Sequence, residues 1–298
     1  MDCIVGATGL LGGAIALRRL EQGHPVRVLL RKESPSEHLA SLGMATPAER
    51  LLAAGAEPAY GDLKEPASLR EAMKGVRRVV TTANSAARQP PDTVEAVEFD
   101  GNRALIEAAA EAGVEHFVFT SAIGVDPQSP IPFMAGKGAT DRYLRERGMH
   151  YTILAPDVFM EIWVPVVVGS AVAAGRPVTL VEPGTHRHTF VSMQDVAAYA
   201  IAALDHPAAH DTTLAIGGTE ALSWRDVVAV YERVEGRPIE VRTVAPGTPI
   251  DGIPASMLPL LAGLEQYETP IDMTQPAATF GIEPTPLEAV VRAMREPG

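Results

Sequence analysis

The first half of the chain alternates short unbroken apolar runs with segments of helical spacing. "CIVGA" reads as a strand and "GGAIALRRLEQG" as a helix that ends at Gly23. "PVRVLLR", a weaker "AEPAYGD", "VRRVVTTA", "HFVFTSA" and "HYTILAP" read as five further strands. Between them, "PAERLLAAG", "PASLREAMKG", "EFDGNRALIEAAAEAG" and "GKGATDRYLRERG" carry helical periodicity. This βα alternation predicts an α/β, Rossmann-type doubly wound parallel sheet with right-handed crossovers. The strands lack polar alternation, as expected when both faces of a sheet are covered.

The regularity breaks after Pro156. An apolar helix is expected over roughly 158–174, and "PVTLVEPGTHRHTFVS" suggests a strand pair. "SMQDVAAYAIAAL" and "SWRDVVAVYERVEG" each open with Ser-x-x-Asp (Ser192/Asp195 and Ser223/Asp226), which predicts two capped helices. The stretch from Ala245 to Thr285 is punctuated by proline and glycine. The expected organisation is a nucleotide-binding domain over 1–155 with a contribution from about 187–215. A smaller substrate-binding lobe is expected over 156–298.

Composition narrows the class. The 298 residues are 46% hydrophobic and 21% charged, which is globular. A net charge of −12 opposes binding to nucleic acid or an anionic membrane surface, so neither is an expected partner. The single cysteine, Cys3, lies in the first apolar run and is expected to be buried. With no disulfide possible within the chain and no signal-peptide pattern, a cytoplasmic location is expected. "IWVPVVVGSAVAAG" is shorter than the roughly 20 residues that span a bilayer, and it contains Pro165. Nothing in the sequence fixes the oligomeric state.

The candidate chemistry begins at "GATGLLGG". Gly6, Gly9 and Gly12 follow a strand and open a helix. Glycines there allow a tight turn and close approach of a pyrophosphate, and the helix N-terminus offers free N–H groups. A dinucleotide is therefore expected on Gly6, Thr8, Gly9, Leu10, Leu11 and Gly12. The second strand ends in Arg31 and Lys32 rather than an acid. Basic groups at the ribose end suit a 2′-phosphate, so the expected cofactor is NADP(H). Asp62 and Leu63 follow the third strand and are placed at the adenine. Thr82, Ala83 and Asn84 follow the fourth and are placed against the cofactor from the other side. Tyr60 and Lys64 satisfy Tyr-x-x-x-Lys, but they stand at the adenine end, away from any nicotinamide.

Together "GATGLLGG", "LLRK", "GDL", "FVFTSAIG", "YTILAPDVFME" and "FVSMQDVAAYAIAAL" resemble the NmrA-like and isoflavone-reductase-like group of atypical short-chain dehydrogenases. The likeness covers residues 2 to about 205 and fades in the last quarter. It implies that "PFMAGKGATDRYL" lies beside the nicotinamide, with Lys137 at the ribose and able to polarise a carbonyl. Phe133 stands where typical members carry tyrosine, so the usual proton donor is missing. Ser121 matches the family's active-site serine. The resemblance also places Pro156 and Phe159 beside the nicotinamide amide. It makes Ile123, Phe133, Phe159, Met160 and Trp163 the walls of a small-molecule substrate pocket, although such residues also fit ordinary core packing. His186 and His188 would share a strand face, but no acid or thiol cluster completes a metal site, so no metal is expected. No Gly-x-Ser-x-Gly stands in the chain. The reading that follows is an NADP(H)-dependent reductase of a small apolar or aromatic carbonyl, enone or quinone. A redox-sensing NADP(H)-binding protein and an assembly factor remain open, because fold alone does not select among them.

Overall fold

The computed structural model describes residues 1–32, 46–85 and 90–295. They divide into two compact units, 1–155 with 196–214, and 156–195 with 215–298. Residues 187–195, expected with the nucleotide-binding part, belong to the second unit.

The first unit is built on β1 (Asp2–Val5), β2 (Val26–Leu30), β3 (Glu57–Tyr60), β4 (Arg78–Thr81), β5 (His116–Thr120), β6 (His150–Pro156) and β8 (Thr212–Ile216), in sheet order β3-β2-β1-β4-β5-β6-β8. The pairs from β3 through β6 are parallel. β1 and β5 are buried along their whole length, which is why they read as continuous apolar runs. β3 is the exposed edge strand, which explains its weak pattern. Helices α1 (Leu10–Glu21), α2 (Ala48–Ala53), α3 (Pro66–Ala72), α4 (Asp100–Glu111) and α5 (Pro132–Arg145) connect the strands. Leu69, Met73, Leu105, Ile106, Phe117, Phe119 and Ile153 form an apolar core on the sheet. Cys3 lies in it, and burial pushes its thiol up to about 12, so it is an inert packing residue.

Two features of this unit depart from the expected pattern. The helix expected over "EFDGNRALIEAAAEAG" opens with a wider π-turn, Glu95–Phe99, before α4 begins. Arg19 is fully buried on α1, where it donates to Asp2 (2.8 Å) and to Asp205 (2.6 Å).

In the second unit, the apolar helix expected over 158–174 is broken into α6 (Met160–Val164), a π-turn Pro165–Gly169 and α7 (Ser170–Ala173). The break falls at Pro165, which supplies no N–H for the helical ladder. The strand pair expected within residues 177–192 does not form. β7 (Val178–Val181) pairs in parallel with β9 (Val241–Val244), and residues 186–191 make only isolated bridges. His188 turns inward instead, its ring nitrogens meeting the Thr269 hydroxyl (2.8 Å) and the Leu264 carbonyl (2.7 Å).

The two Ser-x-x-Asp sequences part company. Ser223 and Asp226 close a reciprocal capping box at the start of α9 (Trp224–Glu235). At the start of α8 (Met193–Asp205) the Glu161 carboxylate accepts from the Met193 N–H and the Ser192 hydroxyl. Asp195 instead accepts from the backbone and hydroxyl of Thr285. The chain ends in α10 (Leu258–Leu264), α11 (Thr274–Phe280) and α12 (Leu287–Arg295). Among the described residues no helix is long and apolar enough to cross a membrane.

Candidate functional site

The strand order reverses between β1 and β4, and a cleft opens beyond the carboxyl ends of β1 to β4. Ligands of open α/β sheets bind at such a point. Gly6 and Thr8 line the cleft from the first turn, Arg31 from the end of β2, Asp62 and Leu63 from beyond β3, and Ala83 and Asn84 from beyond β4. Seven of the residues read from the sequence therefore converge here.

The glycines have different tasks. Gly6 adopts φ +84°, and a Cβ there would stand 2.7 Å from Thr82 Oγ1 and 2.8 Å from the Ala83 nitrogen. A Cβ on Gly12 would fall 2.3 Å from the Gly6 carbonyl oxygen, so Gly12 permits the helix to pack on its own turn. A Cβ on Gly9 would meet only the Gly6 oxygen, at 3.3 Å. Gly9 is thus the one whose side-chain space the fold leaves open. It also starts α1, which has no side-chain cap and no acid in its first turn. Among the described residues no side chain accepts from its first N–H groups, and they and the positive end of the helix can meet an anion.

Several of the expected contact residues also have a packing or bracing role. Leu11 and Gly12 are buried in α1. The Thr82 hydroxyl donates to the Gly6 carbonyl (3.3 Å) and so braces the turn. Lys32 is exposed and does not line the cleft. Six further described residues line it, two of them charged: Lys64, read from the sequence only as part of a Tyr-x-x-x-Lys pattern, and Asp92, which the sequence reading did not place. Asp92 accepts from Arg31 Nη1 at 2.7 Å and from Lys64 Nζ. Lys64 also donates its backbone N–H (2.9 Å) and its ammonium (3.0 Å) to Asp62. Burial alone would raise Asp92, but hydrogen bonds from Lys64 and Arg31 outweigh it and hold the carboxyl below its usual range.

Lys137 lies on α5 and is almost fully buried. Its ammonium donates to the Thr120 carbonyl (2.9 Å) and faces Glu98 Oε2 at 3.3 Å. The Phe119 and Phe133 rings flank it, with centroids 5.1 and 5.2 Å away. Glu98 comes from the π-turn, and its other oxygen accepts from the Ser85 N–H (2.6 Å) and hydroxyl (2.9 Å). Phe133 therefore covers the ammonium rather than forming only an apolar wall.

One helical turn on, burial pushes the Asp141 carboxyl up to about 6, against the opposing pull of Ser121, Arg145 and Lys137. Among the described residues the Ser121 hydroxyl, Thr120 Oγ1 and Asp141 Oδ1 are buried without a hydrogen bond of ordinary geometry. Three such buried polar atoms at one strand end are uncommon in a purely structural region. Glu98 escaped the sequence reading because no local spacing ties it to a lysine thirty-nine residues later. The π-turn, a device enriched at functional sites, is likewise invisible in hydrophobic spacing.

Ile123 is partly exposed in the first unit. Phe159, Met160 and Trp163 belong to the second unit, whose boundary falls at Pro156, the last residue of β6. Met160 is buried in that unit's apolar core and Trp163 packs on the same core, which is the ordinary packing role left open above. Phe159 is partly exposed.

A parallel sheet of this order with a glycine turn at its switch point defines a Rossmann-type nucleotide-binding class of protein. Residues 3–289 match the NmrA-like family, and the chain belongs to that family. It is 29% identical over 239 residues to an NAD(P)H azoreductase of Xenophilus azovorans, spanning 80% of this chain and 75% of that protein. It is 28% identical over 246 residues to the photosystem II assembly factor Ycf39 of Trieres chinensis, spanning 81% and 71%. Among solved structures, it superposes on an NADPH-dependent quinone oxidoreductase of Escherichia coli complexed with NADPH. The TM-score is 0.77 at 20% identity, covering 99% of this chain and all of that one.

Proposed function

We propose that the chain is an NADP(H)-dependent oxidoreductase that reduces a small apolar or aromatic carbonyl, enone or quinone. The observation that carries this reading is the switch-point cleft, where an uncapped, acid-free helix start meets Arg31 and Lys64. The residues fit a dinucleotide: the space beside Gly9 is open to a pyrophosphate, and Arg31 offers a guanidinium to a 2′-phosphate. NADPH, when bound, supplies the hydride. Lys137 holds fixed positive charge at the end of β5, where it can stabilise negative charge on a substrate oxygen. Glu98 and the Thr120 carbonyl keep that ammonium in one place. The relatives named as an azoreductase and a quinone oxidoreductase favour electron-poor aromatic substrates.

A second reading is supported by Phe133. Position 133 carries no tyrosine and so offers no phenol to the neighbourhood of Lys137, and a relative of similar identity is named as an assembly factor. That reading is a protein that binds NADP(H) without turnover. Oxidation of NADPH by the purified protein against quinones, azo dyes and enones separates the two. Turnover supports the reductase. Tight NADP(H) binding with no turnover on any of them supports the binding protein.

A further inference from the structure

The ribose end of the cleft is less basic than the sequence suggests. Among the described residues that line it, Arg31 and Lys64 bring two positive charges, and Asp62 and Asp92 bring two negative ones. The four are joined in sequence: Arg31 to Asp92, Asp92 to Lys64, and Lys64 to Asp62. Asp92 is the hinge of this chain of charges, with its side chain only 9% exposed and each oxygen on a different cation. A carboxylate in that position offers Arg31 and Lys64 what a 2′-phosphate would offer them, namely acceptor oxygens and negative charge. The two therefore compete for the same donors. An unphosphorylated ribose does not compete, because its 2′-hydroxyl can donate to a carboxylate.

We propose that Asp92 sets cofactor specificity by competing with a 2′-phosphate for Arg31 and Lys64. The inference rests on the proposed NADP(H) site. It makes the wild-type chain only weakly selective between phosphorylated and unphosphorylated adenosine ribose, so NADH remains an acceptable cofactor. The selectivity expected from Arg31 is held back by the carboxylate beside it, and removing that charge should release it.

The test is calorimetric titration with two fragments, 2′,5′-ADP and 5′-AMP, which differ only in the 2′-phosphate. Wild-type protein should bind the two within about tenfold of one another. Asp92→Asn keeps the side-chain shape and removes the charge. It should tighten 2′,5′-ADP by roughly tenfold, the scale of one charge-assisted contact regained, and change 5′-AMP by less than about threefold. Asp92→Asn/Arg31→Ala should lose that gain. Asp92→Ala with a native circular dichroism spectrum should reproduce it, which guards against a folding defect in either variant. An unchanged ratio of the two affinities in Asp92→Asn, or weaker 2′,5′-ADP binding, overturns the proposal while leaving the cofactor site intact. Failure of both fragments to bind wild-type protein overturns the cofactor site itself, and the proposal with it.

Discussion

Replacing Glu98 by glutamine should cost far more than the loss of one surface ion pair. Glu98 is fully buried and Lys137 is 4% exposed, with 3.3 Å between Lys137 Nζ and Glu98 Oε2. At that separation, with an effective dielectric constant near 20, the attraction is about 5 kcal/mol before desolvation is subtracted. Desolvation takes back most of it, so the intact pair adds little net stability. Removing one partner is different, because the other charge stays buried without compensation, at about 3–5 kcal/mol. Glu98→Gln can keep its carbonyl toward Ser85, but its amide would then turn two donors toward the ammonium. Lys137→Met strands the carboxylate instead. Glu98→Gln/Lys137→Met leaves no charge, so it should cost less than the sum of the two single changes by about 2 kcal/mol or more. Amide hydrogen exchange of β5 reads the right region. Single changes that each cost under about 1 kcal/mol there, or costs that simply add, would refute the account of Lys137 as a lysine held by Glu98.

Three further outcomes follow from the geometry. Gly9→Val should leave a folded chain that has lost dinucleotide binding. Gly12→Ala should destabilise the fold, since its Cβ would meet the Gly6 oxygen at 2.3 Å; thermal melts with fluorescence titration of NADPH separate the two. Asp226→Ala should lower stability by about 1 kcal/mol through loss of the α9 capping box, whereas Asp195→Ala should instead loosen the backbone at Thr285, visible as faster exchange of the Thr285 amide. Asp141 binds its proton more tightly folded, at about 6, than its ordinary 3.8, so folding is favoured by protonation and stability falls as pH rises between those values. Asp141→Asn should remove that fall and raise stability near pH 7 by up to about 3 kcal/mol, with the slope due to Asp157, also pushed up to about 6 by burial, remaining. A variant no more stable at pH 7 than wild type in urea titrations would refute the burial argument.

The fold was legible where burial writes a continuous signal. β1, β2, β4 and β5 are covered on both faces, and their apolar runs give both their presence and their parallel pairing. β9, "VRTV", is half exposed and carries no such run; its partner β7 lies some sixty residues earlier, beyond the reach of any local pattern. The two Ser-x-x-Asp sequences are a sharper case. They are identical in spacing, yet only Ser223/Asp226 closes on itself, because at Ser192 a glutamate from α6 and a threonine from near the C-terminus take the same donors and acceptors. Local pattern offers a cap, and tertiary neighbours decide whether it forms.

The site divides along the same line. Residues that follow strands could be placed from the sequence, because topology brings strand ends together whatever the loops do. Arg31, Asp62, Ala83 and Asn84 all reach the cleft for that reason. What the sequence could not supply is the balance of charge among them. Arg31 and Lys32 look like a basic pair at the ribose end, but Lys32 stays outside the cleft. Its place is taken by Lys64, the lysine of the Tyr-x-x-x-Lys pattern. Asp92 then offsets the lysine's charge, from a connection whose path no periodicity describes. Residue type at a strand end thus forecasts which groups meet a ligand. The sign and strength of the field they make there depend on the acid that the fold delivers from elsewhere, and in this cleft, among the described residues, Asp92 is such an acid.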